Sequence, residues 1–73
     1  MDLKDVLSTN LRKMRNETGR TQEEMADVLG ISLRYLGSIE RSKVSPSVTL
    51  LGEFARALNV SPCELISSKG RIR

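Results

Sequence analysis

The chain has 73 residues, enough for one domain around a single small core, with 38% hydrophobic residues and only Tyr35 and Phe54 as aromatics. Cys63 is the one cysteine and there is no His, which excludes an intrachain disulfide and argues against a zinc site; no metal or cofactor is expected. The net charge of +3 comes from Lys69, Arg71 and Arg73 in the last five positions, because the first 68 residues carry nine basic and nine acidic side chains. Local placement of charge, rather than the total, must therefore point to any partner.

Residues 2–18 carry Leu3, Val6, Leu7, Leu11 and Met14 at the 3.6-residue period of an amphipathic helix, with Lys4, Arg12, Lys13, Asn16 and Glu17 opposite. Gly19 supplies the stop. Thr21 stands three residues before Glu24, a capping box that starts a second helix at 22–29 and buries Met25, Ala26 and Leu29. Gly30 falls where a chain leaving a helix needs positive φ, and Ser32 is the N-cap of a third helix at 33–40. That third helix buries Leu36 and Ile39 and shows Leu33, Arg34, Tyr35, Gly37 and Ser38 on its other sides. Helix, short turn with Gly, helix over Thr21–Arg41 is the helix-turn-helix pattern.

A polar connector, Arg41 to Pro46, leads to Ser47, the N-cap of a fourth helix at 48–58 whose buried stripe is Leu51, Phe54, Ala55 and Leu58. Asn59 ends it. Ser61-Pro62-Cys63-Glu64 is a second capping box, with Pro at the first helical position, and opens a one-turn helix containing Leu65 and Ile66. No strand-like alternation occurs, so the expected fold is all-α with five helices. Residues 1–66 form the domain and 67–73 a basic flexible tail. No stretch reads as a secretory or membrane-spanning segment, so the expectation is a cytoplasmic protein without a membrane partner.

The spacing of Thr21-Gln22, Ala26, Gly30, Ser32, Ile39-Glu40-Arg41, Pro46-Ser47, Leu50, Ala55, Leu58 and Val60-Ser61 resembles the Cro/phage-repressor, or xenobiotic-response-element-like, helix-turn-helix family. The likeness runs from about residue 8 to residue 66. The small format, Tyr35 and the Ile39-Glu40-Arg41 run are also similar to controller proteins of restriction–modification systems. The resemblance implies a lambda-repressor-like domain whose helix at 33–40 enters the major groove of double-stranded DNA. It also implies that Gln22 touches phosphate, that Arg15 and Glu40 form a structural ion pair, and that the last two helices carry a homodimer contact. Three positions depart from the family's pattern. Gly37 lies inside the recognition helix, Ser42 stands where Gly is common, implying a different turn, and Leu33 stands where many members have Gln, Lys or Arg.

Leu33, Arg34, Tyr35 and Ser38 are the candidate base-reading residues. The Arg34 guanidinium can bond guanine O6 and N7 in parallel, or rest on phosphate; Leu33 can pack on a thymine methyl, or flank the core. Tyr35 offers a hydroxyl to DNA or covers the core, and Ser38 gives adaptable hydrogen bonding. Gly37 either lets the helix lie closer to DNA or is accommodated by packing. Arg20, Thr21, Gln22, Ser32, Arg41 and Lys43 are the phosphate candidates, three of them at helix N-termini where free N–H groups favour an anion. Leu50, Val60, Leu65 and Ile66 are the dimer candidates, and Cys63 is a small packing residue. With no His, nucleophile–base pair or phosphate-cradling loop, no catalytic constellation is present and an enzyme is not expected. An antitoxin-type repressor or a protein–protein interaction module stands as the alternative, and an RNA polymerase or toxin partner stays open.

Overall fold

The computed structural model describes residues 2–67. Its helices are α1 (Leu3–Thr18), α2 (Gln22–Leu29), α3 (Leu33–Glu40), α4 (Val48–Leu58) and α5 (Pro62–Leu65), with no strand among the described residues. Asp2, Thr21, Ser32, Ser47 and Ser61 each accept a backbone N–H of the helix they open, and Thr21 and Ser61 complete their boxes with Glu24 and Glu64. Such a cap is worth about 1 kcal/mol, which is why the polar residues before each apolar run set the helix starts.

The four longer helices end alike. The amide of the left-handed residue returns to the carbonyl three back, and the next amide to the carbonyl five back; the left-handed residues are Gly19, Gly30, Ser42 and Asn59. This is the Schellman closure. Ser42 has φ 58°, the conformation a glycine would take, so the turn after α3 closes as a Gly turn does and the substitution does not alter it. Its hydroxyl sits 3.5 Å from the Lys4 carbonyl.

α1 packs on α3 and α5, α2 on α3 and α4, and α4 on α5. Leu7, Leu11, Met25, Ala26, Leu29, Leu36, Ile39, Phe54, Ala55 and Leu65 make one continuous core. Six of its larger side chains are fully buried, each contributing roughly 1.5–3 kcal/mol. Ala26 lies in this core on α2, the helix that packs on both α3 and α4. Two expectations are corrected. Leu3 is 58% exposed, because the layer covering α1 begins one turn later, at Val6 and Leu7. Leu51 and Leu58 are half-buried, packed at the edge of the core around Phe54 and Ala55. The basic tail at 67–73 lies, apart from Ser67, outside the described residues.

Two buried polar side chains tie the helices where apolar contact ends. Ser8 Oγ donates to the Glu40 carbonyl at 2.6 Å, joining α1 to the end of α3. Asn10 Nδ2 donates to the carbonyls of Glu64, Leu65 and Ser67 at 3.2, 2.8 and 3.1 Å. One amide thus supplies the donors that the carbonyls ending α5 lack within their own helix.

Candidate nucleic-acid interface

α3 is held by its inner face. Leu36 and Ile39 are fully buried, and Glu40 at its last position has a side chain only 3% exposed. Arg15 Nε donates to Glu40 Oε2 at 2.9 Å and Arg15 Nη2 to Oε1 at 3.1 Å, a two-pronged pair from α1. Gln22 Nε2 donates to the same Oε1 at 2.8 Å from the first residue of α2. One buried carboxylate therefore joins α1, α2 and α3, and with the Ser8 bond to its carbonyl Glu40 is gripped through both side chain and main chain. Three charge-assisted bonds offset the cost of taking the carboxylate out of water.

The outer face of α3 follows from the 3.6-residue period. Arg34, Gly37, Ser38 and Arg41 fall at i, i+3, i+4 and i+7, one stripe directed away from Leu36 and Ile39. Arg34 and Arg41 are exposed, Ser38 is half-buried, and Leu33 beside them is 46% exposed, a large apolar side chain left in solvent at the helix start. Gly37 is itself buried rather than open to the outside. Its cover is the Arg41 side chain: a Cβ placed on Gly37 would lie 3.1 Å from Arg41 Nη1.

The other polar candidates differ in their exposure. Thr21, Ser32 and Lys43 are exposed, Arg20 and Gln22 half-buried. Thr21 Oγ1 and Ser32 Oγ accept backbone bonds from Glu24 and Tyr35 at 3.1 and 3.0 Å, which leaves each hydroxyl hydrogen free to donate. The Gln22 amide has one N–H engaged with Glu40 and a second to offer. Thr21 and Ser32 are the N-caps of α2 and α3, and Gln22 is the first residue of α2.

A family model described as helix-turn-helix matches residues 11–65, which spans the second half of α1, then α2, the turn and α3, and all of α4 and α5. The chain belongs to the helix-turn-helix family, of the Cro/C1 type. Among helix-turn-helix relatives, the uncharacterized transcriptional regulator y4dJ of Sinorhizobium fredii is 42% identical over 67 residues, 92% of this chain and 87% of that protein. Control protein C.SmaI of Serratia marcescens is 36% identical over 70 residues, 96% of this chain and 83% of that protein. Among solved structures, the hypothetical transcription factor NHTF from Neisseria superposes with a TM-score of 0.85 at 31% identity, covering 93% of this chain and 78% of that one. The restriction-modification controller protein C.AhdI from Aeromonas hydrophila superposes at 0.76 with 31% identity, covering 85% of this chain and 94% of that one.

Within this helix-turn-helix chain, Tyr35 is half-buried and packs against the core, so part of its ring covers the protein. Leu65 is fully buried among the core residues. Its side chain is enclosed by its own protomer, which corrects its place among the dimer candidates; Leu50, Val60 and Ile66 are partly exposed at the core's edge. Cys63 is exposed at the start of α5 rather than packed. Val60 also lines a shallow groove with Met14, Glu17, Thr18, Arg20 and Leu58. Sequence reasoning missed Ser8, Asn10 and the Gln22–Glu40 bond. The signal for the first two was present: both are polar residues beside Leu7 and Leu11 on the apolar side of α1, where a short polar side chain implies a buried partner. No helix is long and apolar enough to cross a membrane among the described residues.

Proposed function

We propose that this helix-turn-helix protein is a sequence-specific regulator of transcription that binds double-stranded DNA as a homodimer, with α3 in the major groove. The observation that carries the reading is the division of α3. Its inner face is locked by Leu36, Ile39 and the Glu40 cluster, while Leu33 and Arg34 stand exposed on the other side with half-buried Ser38 beside them. In this reading Arg34 bonds a guanine edge, Leu33 packs on a thymine methyl, and the hydroxyls of Ser38 and Tyr35 add adaptable bonds. Arg20, Thr21, Gln22, Ser32, Arg41 and Lys43 hold phosphates on either side of the groove, the two helix starts adding their free N–H groups.

Two such domains related by a two-fold axis read half-sites about one helical turn apart, so the operator is a pseudo-palindrome. Leu50, Val60 and Ile66 supply the contact between protomers. The control-protein names of two relatives support a small controller-type regulator, acting in the cytoplasm, whose output follows its own concentration through dimerisation. The protein does no chemistry of its own in this account.

Selection of bound sites from random duplex DNA tests the proposal, followed by the Arg34→Ala variant. A palindrome is expected whose preference for G·C at one position of each half-site relaxes in the variant, by about 1–3 kcal/mol of discrimination. No enriched site at low salt, or full tolerance of Arg34→Ala, would favour a protein–protein interaction module or a toxin-binding role instead.

A further inference from the structure

Gly37 is a glycine inside a helix of the recognition motif, where propensity argues against it. It has φ in the ordinary helical range, so no backbone conformation requires it. What the position requires is room. The Arg41 amide donates to the Gly37 carbonyl at 3.1 Å, and the Arg41 side chain runs back over the same residue, with Nη1 at 3.1 Å and Cζ and Nη2 at 3.9 Å from where a Cβ would stand. Helical side chains lean toward the N-terminus, so an Arg at the end of α3 naturally points back along its own stripe. A Cβ at residue 37 would stand 3.1 Å from Nη1, so the guanidinium would have to give by a few tenths of an ångström. The guanidinium forms no ion pair or hydrogen bond with another side chain among the described residues, and it lies against the bare surface of Gly37.

We propose that Gly37 is a positioning residue for Arg41: the missing side chain makes a seat that holds the Arg41 guanidinium on the outward stripe of α3, one turn beyond Ser38 and two beyond Arg34. Resting on the DNA-binding reading above, the seated guanidinium meets a backbone phosphate beside the groove from a fixed direction. Arg41 is then an extension of the recognition face rather than a loop cation. The seat also accounts for the burial of Gly37, which a glycine turned toward open solvent would not show.

The test is a double-mutant cycle on the full chain, with Gly37→Ala and the bulkier Gly37→Leu each made alone and in the Arg41→Ala background. Affinity for the selected duplex is measured across salt, thermal melting reports the fold, and 15N relaxation of the Arg41 Nε–H reports the seat without DNA. The expected result is a folded Gly37→Ala with an unchanged or higher Tm. Its affinity falls only slightly, because the arginine tip can give way, whereas Gly37→Leu falls several-fold and its log–log salt slope loses about 0.9 per protomer, as for one phosphate contact. In the Arg41→Ala background neither substitution should weaken binding further, and the Arg41 Nε–H should be more mobile in Gly37→Leu than in the native protein. Equal losses in both backgrounds would mean that the new side chain itself collides with DNA, and would overturn the proposal. So would native affinity and slope in Arg41→Ala, or an Arg41 Nε–H equally mobile with and without Gly37. If the native protein bound no duplex, the DNA-binding reading would fall along with the phosphate role, while the relaxation measurement would still decide whether the seat exists.

Discussion

Ser42 shows how a single residue is held against its preference. At φ 58° a side chain crowds its own backbone, at a cost of about 1–2 kcal/mol that glycine avoids. The position is imposed by the closure after α3, where the amides of Ser42 and Lys43 return to Ile39 and Ser38 at 3.0 and 2.9 Å. Its weak 3.5 Å contact with the Lys4 carbonyl compensates little. Ser42→Gly is therefore expected to raise stability by about 0.5–1 kcal/mol, the relief of strain being partly offset by the greater freedom of glycine in the unfolded chain. Urea unfolding measures it; a destabilised variant would mean that the serine hydroxyl matters more than the backbone. Asn59 adopts the same conformation at the end of α4, and asparagine tolerates it better.

At the scale of elements, the Arg15–Gln22–Glu40 cluster is the joint on which the angle of α3 depends. Its burial is lopsided: the Glu40 side chain is 3% exposed and that of Arg15 19%. Removing Arg15 strands a carboxylate in the interior with Gln22 as its one remaining side-chain donor, whereas removing Glu40 leaves a guanidinium that can reach water. Arg15→Ala is accordingly expected to cost about 3–5 kcal/mol, and Glu40→Ala less. Both should lower DNA affinity as well as Tm, because the reading face moves with the joint. Thermal melts of the two variants check the order; an unchanged Tm in Glu40→Ala would remove the structural role of the pair. Asn10 does the same work at the other end of the molecule, fastening a four-residue helix that is too short to stand alone.

For the whole molecule, the first 68 residues are neutral in sum, so attraction to DNA depends on where a few cations stand. If Arg20, Arg41 and Lys43 of each protomer neutralise one phosphate apiece, a dimer on a full palindrome has a salt slope of about −5 or steeper, and an isolated half-site about half of that with far weaker binding. Val60→Glu places a charge at the proposed protomer contact and should reduce palindrome binding to half-site behaviour, with some loss of Tm because Val60 also packs against the core's edge. Sedimentation together with salt titration distinguishes the cases; a shallow slope shared by full and half sites would contradict a dimer with these contacts.

Much of this was legible in the residues because it is local. A capping side chain, a left-handed turn residue and a 3.6-residue apolar stripe act within four or five positions of one another, so helix bounds and the division of α3 into inner and outer faces follow from order along the chain. The helix-turn-helix resemblance added the Arg15–Glu40 pairing. What only the tertiary structure decided is which side chains meet across helices. Gln22 joins the Glu40 cluster, Asn10 reaches residues 54 to 57 positions away, and Leu65 goes into the core instead of outward. Leu3 is left in water because no neighbour extends far enough to cover it. Burial and long-range hydrogen bonds depend on how helices cross, and crossing is set by the packing of all five at once. Gly37 lies between the two kinds of knowledge: its oddity is visible in the sequence, and its reason, an arginine lying across it, only in the fold.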